Sequence, residues 1–196
     1  MSKLALGVID MQGDFAFKDG KLYVKGGEEI IKPTEKLVEA AREADIKRFF
    51  SGDQHNNPTP EFEDWGEHCV AGTSGAQLII QPKPGEIIVA KGDSQFSAFA
   101  PRTHIGDESY LHNLLRYDVD TIILVGLAYD FCVGQTALSA AMLYTNVLIV
   151  TQCTRSVELP EKDYGTTILR MKSLLRGHRN IRHIKPHEAM RMIKGE

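Results

Sequence analysis

The order of its apolar segments constrains the fold of this chain more than any other feature. Short runs rich in Leu, Ile and Val alternate with segments whose apolar residues have helical spacing. The runs are Leu4 to Ile9, Ile46 to Ser51, Ile87 to Ala90, Thr121 to Val125, Val147 to Val150 and Ile181 to Ile184. Because these runs are largely apolar rather than alternating, they are typical of parallel strands buried on both faces of a sheet.

The helical segments lie between these runs. They are clearest at the stripe of Leu37, Val38 and Ala41, around Leu111, Leu114 and Leu115, and over Thr136 to Tyr144. Parallel strands need crossover connections, which place helices on both faces of the sheet. The sequence therefore predicts an α/β fold, a three-layer α/β/α sandwich with a mostly parallel, doubly wound central sheet of about six strands.

The amino-acid composition limits the domain organisation and the kinds of binding partner that we expect. The 196 residues have an ordinary 42% of hydrophobic residues and no linker, so we expect one domain over residues 1–196. The 23 basic and 26 acidic residues form no block of one sign, which argues against nucleic acid as a partner. No run could span a bilayer, and the odd number of cysteines suits free thiols, so we expect a cytoplasmic protein without a membrane partner. The subunit count stays open, a homo-oligomer included.

Polar side chains follow four of the predicted strands. The first strand runs into Asp10, the second into Asp53 and His55, and the third into Lys91, while the turn after the fourth leads to a helix near Cys132. In an open parallel sheet the carboxyl ends of the strands share one edge, where ligands bind. We therefore expect these side chains to lie together.

Cys132, Asp10 and Lys91 suit acyl transfer. Near a helix start, free N–H groups and the helix dipole favour a thiolate at Cys132. Taken singly, these residues have structural explanations: a buried thiol, a carboxylate capping a turn, and a surface lysine with a buried stem. Together, a nucleophile, a proton acceptor and a cation form the set needed for a covalent acyl intermediate.

A metal site is predicted beside them. Asp53 and His55, separated by one residue, can point to one side of an extended segment, and His68 follows thirteen residues later. Carboxylate and imidazole ligands suit zinc, iron or manganese. The alternative is that all three are solvated residues of a long loop.

The fourth metal ligand is less determined by the sequence. Glu61, Asp64 and Cys69 are the candidates in the same loop, and water fills the open positions of catalytic metal sites. Among the three we favour Glu61.

Four motifs in order resemble the isochorismatase-like cysteine hydrolases, and within them the nicotinamidase and pyrazinamidase group. The motifs are VIDMQGDF, then GDQH followed by DWGEHCVAGTSGAQL, then AKGDSQFSAF, and finally VGLAYDFCVGQTALSA. The resemblance covers nearly the whole chain.

The resemblance implies roles for the residues of these motifs. It implies that Cys132 is the nucleophile, Asp10 the general base and acid, and Lys91 the third catalytic residue. It also implies a cis peptide before Ala128, so that the N–H groups of Ala128 and Cys132 form the oxyanion hole. The implied metal ligands are Asp53, His55 and His68, with Glu61 as the fourth, and the implied walls of the substrate pocket are Phe15, Trp65 and Phe96.

The implied reaction is hydrolysis of nicotinamide to nicotinate and ammonia through a cysteine thioester, in the service of NAD salvage, with pyrazinamide as a further substrate. The implied cofactor is one divalent metal ion, zinc in the first place, with iron or manganese as alternatives. It would bind the ring nitrogen and act mainly as a template. Gly66, Phe96 and Tyr129 depart from the commonest family pattern, which leaves the substrate preference open.

Two other interpretations remain at this point. One is an amidase of the same superfamily that acts on a carbamoyl or ureido substrate without a metal. The other is a non-catalytic module that senses a metabolite, or senses oxidants through the Cys132 thiol. The metal-ligand set argues against the first, and the presence of both Asp10 and Lys91 argues against the second.

Overall fold

The computed structural model describes residues 3–99 and 118–196, together with Leu111 and Leu115. Six strands form its main sheet, and a short hairpin of β6 (Pro160–Glu161) and β7 (Gly165–Thr166) lies outside it. The six are β1 (Leu4–Ile9), β2 (Lys47–Asp53), β3 (Ile87–Lys91), β4 (Thr121–Leu127), β5 (Asn146–Arg155) and β8 (Ile181–Ile184).

The main sheet is parallel throughout, in the order β3-β2-β1-β4-β5-β8. The order reverses direction at β1, because the chain first winds outwards to β3 and then crosses back to β4. All six carboxyl ends therefore lie along one edge, and a doubly wound sheet has its ligand crevice at such a reversal.

Helices cover both faces of the sheet. The described helices are α1 (Gly13–Ala16), α2 (Ile31–Glu43), α3 (Glu61–Trp65), α4 (Gly134–Ala141), α5 (Thr167–Arg176) and α6 (Pro186–Lys194), with a 3-10 turn at Gly27–Ile30 and a π-helical turn at Tyr129–Val133. One core joins α2 and α6 to one face of the sheet. A second core joins α4, α5, Leu111 and Leu115 to the other face, which completes the three layers.

The predicted three-layer fold is confirmed, and the differences concern element ends. The strand predicted at Val147 to Val150 in fact continues to Arg155. The sequence did not show this continuation, because the exposed residues Thr151 and Gln152 interrupt the apolar run. The last predicted helical segment begins earlier, at Gly134, and ends at Ala141.

Two further outcomes concern the helices. Leu111 and Leu115 are helical and buried, whereas Leu114 of the same predicted segment lies outside the described residues. Within the described part of the chain, no helix combines the length and apolar character needed to cross a membrane.

Gly126 is required where β1 and β4 approach the site edge. It pairs with Ile9, its φ is +114°, and a Cβ there would lie 2.0 Å from the carbonyl oxygen of Ile9. Any side chain would force the two central strands apart at the point where Asp10 leaves β1.

We predict that Gly126→Ala lowers the free energy of unfolding by about 2–5 kcal/mol, the sum of backbone strain and overpacking. Gly85→Ala is the matched control, because Gly85 also has a positive φ, +89°, but nothing lies within 4 Å of its added Cβ. It should lose only the strain, about 1–2 kcal/mol. Urea denaturation measures both, and equal losses in the two variants would contradict the steric explanation.

Candidate active site

The ammonium group of Lys91 is the centre of a buried polar cluster. Its Nζ lies 2.6 Å from Asp10 Oδ2 and 2.8 Å from Asp53 Oδ1. It also donates to Cys132 Sγ at 3.3 Å and to the carbonyl oxygen of Gln95 at 3.1 Å. The Lys91 side chain is 1% exposed, so the charge is held by these partners rather than by water.

Strand register explains why these residues meet. Lys91 ends β3 and stands directly beside Asp53, the last residue of β2. Asp10 follows β1 in a left-handed conformation (φ +46°), and the Ser51 hydroxyl of β2 donates to its Oδ1 at 2.7 Å. Cys132 arrives from β4 through the π-helical turn.

Burial and charge set the proton affinities of the cluster. Burial raises the pKa of the Asp10 carboxyl, an effect that Lys91 opposes and Asp53 reinforces. Burial disfavours the charged form of Lys91, but Asp10 and Asp53 hold its pKa well above the usual range. Lys91 is therefore an ammonium ion at neutral pH.

The protonation state of Cys132 differs from the thiolate that its position near a helix start predicts. Burial, reinforced by Asp10 and Asp53 and opposed by Lys91, raises its pKa well above the usual value, so the resting group is a thiol rather than a thiolate. A base must therefore take its proton before it can act as a nucleophile.

Asp10 is placed to be that base. Oxygen atoms of Asp10 and Asp53 and the sulfur of Cys132 all lie within 4.8 Å of one another. Asp10 Oδ2 forms a close ion pair with Lys91, but no hydrogen bond of good geometry to it is found among the described residues. This oxygen retains a lone pair for a proton.

A second cluster adjoins the first through Asp53. One ligand atom from each of Asp53, His55 and His68 lies within 4.8 Å of the others, and all three residues are buried. His55 Nδ1 lies 2.8 Å from Asp93 Oδ1, and His68 Nδ1 lies 2.8 Å from the carbonyl oxygen of Gly66. Because both partners accept hydrogen bonds, the Nδ1 atoms carry the protons and the Nε2 lone pairs are free.

The free nitrogen atoms show that this cluster fits a metal ion. His55 Nε2 is buried, lies 3.9 Å from Asp53 Oδ2, and has no hydrogen-bond partner among the described residues. An unpaired buried acceptor is costly, and a metal ion would satisfy it. Outer partners that fix the histidine tautomer, here Asp93 and the Gly66 carbonyl, are usual around protein metal sites.

Glu61 lies on the other side of His55. Its Oε2 is 3.8 Å from His55 Nδ1 and accepts a hydrogen bond from the Ser94 N–H at 2.6 Å. Among the described residues it groups with His55 and Asp93 rather than with Asp53 and His68. Its role as fourth ligand stays a prediction, although Glu61 does line the cavity described next.

The other two candidates for a fourth ligand lie elsewhere. Asp64 is exposed. The Cys69 N–H donates to Asp14 Oδ2 at 2.8 Å, and its sulfur faces the carbonyl oxygen of Gly75 at 3.9 Å. Neither residue belongs to a group of possible metal ligands in the described part of the chain.

A mostly apolar cavity opens onto both clusters. Its volume is about 60 Å³, which makes it a narrow pocket. The aromatic residues expected from the sequence, Phe15, Trp65 and Phe96, all line it. Its other lining residues are Leu22, Tyr23, Val24, Asp53, Glu61, His68, Leu127, Ala128, Phe131, Cys132 and Val157.

Phe131 is an aromatic wall residue that sequence reasoning missed. Its ring is 5.0 Å from that of Trp65 and 5.8 Å from that of Phe96, measured between centroids. Its position next to Cys132 in the sequence could have indicated that it lies at the site. The three rings pack against one another and form an aromatic wall of the cavity that Cys132 also lines.

Two buried polar residues that sequence reasoning missed hold the site in place. The Gln12 side chain donates to the Asp53 carbonyl oxygen at 2.8 Å and accepts from the Asp53 N–H at 2.7 Å. The fully buried Asp130 accepts from the N–H groups of Val157 and Glu158, both at 2.9 Å, and from the Thr167 hydroxyl at 2.5 Å. Gln12 thus fixes Asp53, and Asp130 fixes the turn that carries Cys132.

Ala128 supplies a backbone donor beside the thiol. The peptide bond between Leu127 and Ala128 is cis, as the family resemblance implies. No acceptor for the Ala128 N–H is found among the described residues, and Ala128 lines the cavity together with Cys132. This N–H is available to an oxygen atom of a bound molecule.

This arrangement of residues belongs to a chain that matches a known protein family. The model of the isochorismatase domain matches residues 5–176. The chain belongs to the isochorismatase family. Together with its similarity to nicotinamidases, this membership makes it an amidohydrolase.

Two curated relatives of this isochorismatase-family chain differ in recorded activity. The nicotinamidase/pyrazinamidase of Mycobacterium tuberculosis is 34% identical over 158 residues, covering 74% of this chain and 83% of the relative. A probable inactive nicotinamidase of Arabidopsis thaliana is 30% identical over 186 residues, covering 87% of this chain and 88% of the relative.

Two solved structures share the fold and sequence similarity. The yeast nicotinamidase bound to the inhibitor nicotinaldehyde has a TM-score of 0.77 at 26% identity, covering 93% of this chain and 99% of the other. The N-carbamoylsarcosine amidase of Thermoplasma acidophilum has a TM-score of 0.74 at 25% identity, covering 95% of this chain and 97% of the other.

Proposed function

We propose that this amidohydrolase is a metal-dependent nicotinamidase that converts nicotinamide to nicotinate and ammonia through a thioester on Cys132. The observation that carries the proposal is the contact of the Lys91 ammonium with Asp10, Asp53 and Cys132 beside a cluster of free imidazole nitrogens. The product suits a role in NAD recycling.

The cavity supports a flat aromatic amide as the substrate. Trp65, Phe96 and Phe131 offer the faces and edges of their rings to a planar ring. A carboxamide at the Cys132 end would place its oxygen near the free Ala128 N–H. Asp53 and His68 line the same cavity, so a polar atom of the ring can face the metal-ligand cluster.

Asp53, His55 and His68 would hold the metal, with zinc the best match to this set of nitrogen and oxygen donors. A divalent ion bound there supplies a Lewis acid that orients a heteroaromatic nitrogen. The protein holds the two imidazoles through Asp93 and the Gly66 carbonyl, and it holds Asp53 through Gln12 and Lys91.

The chemical steps use the chain's own residues. Asp10 takes the thiol proton, the sulfur attacks the amide carbon, and the tetrahedral oxygen accepts from the Ala128 and Cys132 N–H groups. The C–N bond then breaks and the proton leaves with ammonia. Asp10 next takes a proton from water, which attacks the thioester carbon, and the sulfur recovers a proton as the carboxylic acid is released.

Lys91 keeps its charge throughout this sequence. Its ammonium offsets the carboxylates before the reaction and the negative sulfur during it. A high pKa is necessary for this role, since a lysine that lost its proton would leave two buried carboxylates uncompensated. The raised pKa of Asp10 suits a base that must also return the proton to a leaving amine.

The second candidate function is hydrolysis of a carbamoyl amide without a metal. The similarity to the N-carbamoylsarcosine amidase structure favours it. The free Nε2 of buried His55 argues for the metal-dependent alternative, because an enzyme without a metal has no physical need for that unpaired nitrogen. The sensing hypothesis has less support, since it gives no purpose to the base and the cation around Cys132.

We predict that Cys132→Ala lowers ammonia release from nicotinamide at least about a thousandfold, because no other group can form the acyl intermediate. Cys153→Ala is the matched control: Cys153 is buried in the core, does not line the cavity, and should tolerate the change with activity retained. The assay uses nicotinamide, pyrazinamide, benzamide and an N-carbamoyl amino acid. Activity on the last substrate alone would replace the proposed function with the second candidate.

We predict one tightly bound divalent metal per chain after loading with zinc and dialysis, measured by elemental mass spectrometry. His68→Ala should reduce the bound metal at least about tenfold through loss of one ligand. His187→Ala is the control, because His187 is exposed on α6 and belongs to neither cluster. Full nicotinamidase activity in chelator-treated, metal-free protein would show that the metal dependence is wrong.

A further inference from the structure

A second cavity lies behind the turn that carries Cys132. It has a volume of about 450 Å³ and is formed by the end of β5, by α5 and by β8. Its lining residues are Tyr129, Thr151, Thr154, Arg155, Ser156, Glu158, Ile168, Lys172, Arg176 and His183. Nothing in the proposed amidase reaction uses it.

The charge of this second cavity is positive and largely uncompensated. Lys172 and Arg176 stand one turn apart on α5, and neither has an ion-pair or hydrogen-bond partner among the described residues. Arg155 also lines the cavity, but it is paired with Glu29 at 2.8 Å. Glu158 is the one carboxylate among the lining residues, so two free cations face a single anion.

Thr154 adds an unmet hydrogen-bonding group. It lines the second cavity, its residue is only 6% exposed, and its hydroxyl oxygen has no hydrogen-bond partner among the described residues. A buried hydroxyl without a partner costs free energy that a ligand oxygen would recover. The neighbouring Thr151 hydroxyl is already used, because it donates to the carbonyl oxygen of Ile184 at 3.3 Å.

Tyr129 and His183 complete the wall without adding negative charge. The Tyr129 hydroxyl lies 2.9 Å from His183 Nε2. Burial raises the pKa of Tyr129 to about 12, so the phenol stays protonated at neutral pH. Burial, together with Lys172 and Arg176, lowers the pKa of His183, which keeps its imidazole neutral.

We propose that this second cavity is a ligand site that binds the phosphoryl group of a small molecule. An ammonium, a guanidinium and a hydroxyl donor are the groups that proteins use for a phosphoryl dianion. The lining residues carry three cations and one carboxylate, so their net charge of +2 matches that of the dianion better than that of a monocarboxylate. The volume is that of an ordinary small-molecule site, which leaves room for an organic part.

The position of the site brings its ligand close to the nucleophile. The turn at Tyr129–Val133 separates the two cavities: Tyr129 lines the second cavity, while Phe131 and Cys132 line the first. A phosphorylated molecule in the second cavity therefore contacts the same short turn that holds the thiol, but from the opposite side.

Isothermal titration calorimetry with inorganic phosphate at low ionic strength tests the proposal. The wild-type protein should bind phosphate saturably, and the double variant Lys172→Gln/Arg176→Gln should bind it at least about tenfold more weakly, since each charged hydrogen bond contributes substantially. Thr154→Val should weaken binding severalfold. Arg179→Gln is the matched control, because Arg179 is an exposed cation just beyond α5 that does not line the cavity.

The outcomes separate this site from the proposed active site. The Cys132→Ala variant should bind phosphate as the wild-type protein does, whether or not nicotinamide is the substrate. Wild-type affinity in the double variant would place phosphate elsewhere and overturn the proposal, as would absence of saturable binding. Acetate should bind at least about tenfold more weakly than phosphate, and equal affinities would overturn the phosphoryl assignment. The double variant changes only exposed side chains, and an unchanged circular dichroism spectrum checks its fold.

Discussion

The buried ammonium of Lys91 is the interaction on which the rest of the site depends. It contacts two carboxylates and a thiol, and its own side chain is almost completely buried. Removing a buried cation would leave Asp10 and Asp53 as like charges in close proximity, a situation that buried sites avoid by taking up a proton. A protonated Asp10 could not accept the thiol proton. In the proposed reaction Lys91 therefore keeps Asp10 available as a base, while Asp10 itself keeps Lys91 charged.

The parallel sheet provides this arrangement through strand register, and Asp53 extends it to a second cluster. Oδ1 of Asp53 contacts Lys91, whereas Oδ2 lies toward the free Nε2 of His55. One carboxylate is thus shared by the group around the nucleophile and the group suited to a metal. A change in the charge near the imidazoles would therefore alter the electrostatic potential at Asp53, which in turn contacts Lys91.

The sequence predicted the sheet and the meeting of Asp10, Lys91 and Cys132, because apolar runs mark buried strands and parallel strands end at a common edge. It did not predict contacts set by side-chain direction. The hydrogen bonds between Gln12 and Asp53 and the three hydrogen bonds to Asp130 join segments that are distant in the sequence. No hydrophobic periodicity relates these segments, so the sequence pattern could not reveal their contacts. The spacing of residues in an irregular loop also does not predict side-chain orientation. The sequence therefore could not show that the Glu61 carboxylate faces Nδ1 of His55. The sequence also did not predict that β5 continues beyond Val150, because polar residues there end the apolar run.

We propose that acyl transfer to the Cys132 sulfur takes place under the control of Asp10 and Lys91. The most direct measurement is intact-protein and peptide mass spectrometry after acid quenching of the enzyme during turnover of nicotinamide. We expect a mass increase equal to one nicotinoyl group on the peptide that contains Cys132, and its disappearance when the substrate is exhausted. Steady ammonia release with no adduct on that peptide, or with the adduct on Cys69 or Cys153, would contradict the account.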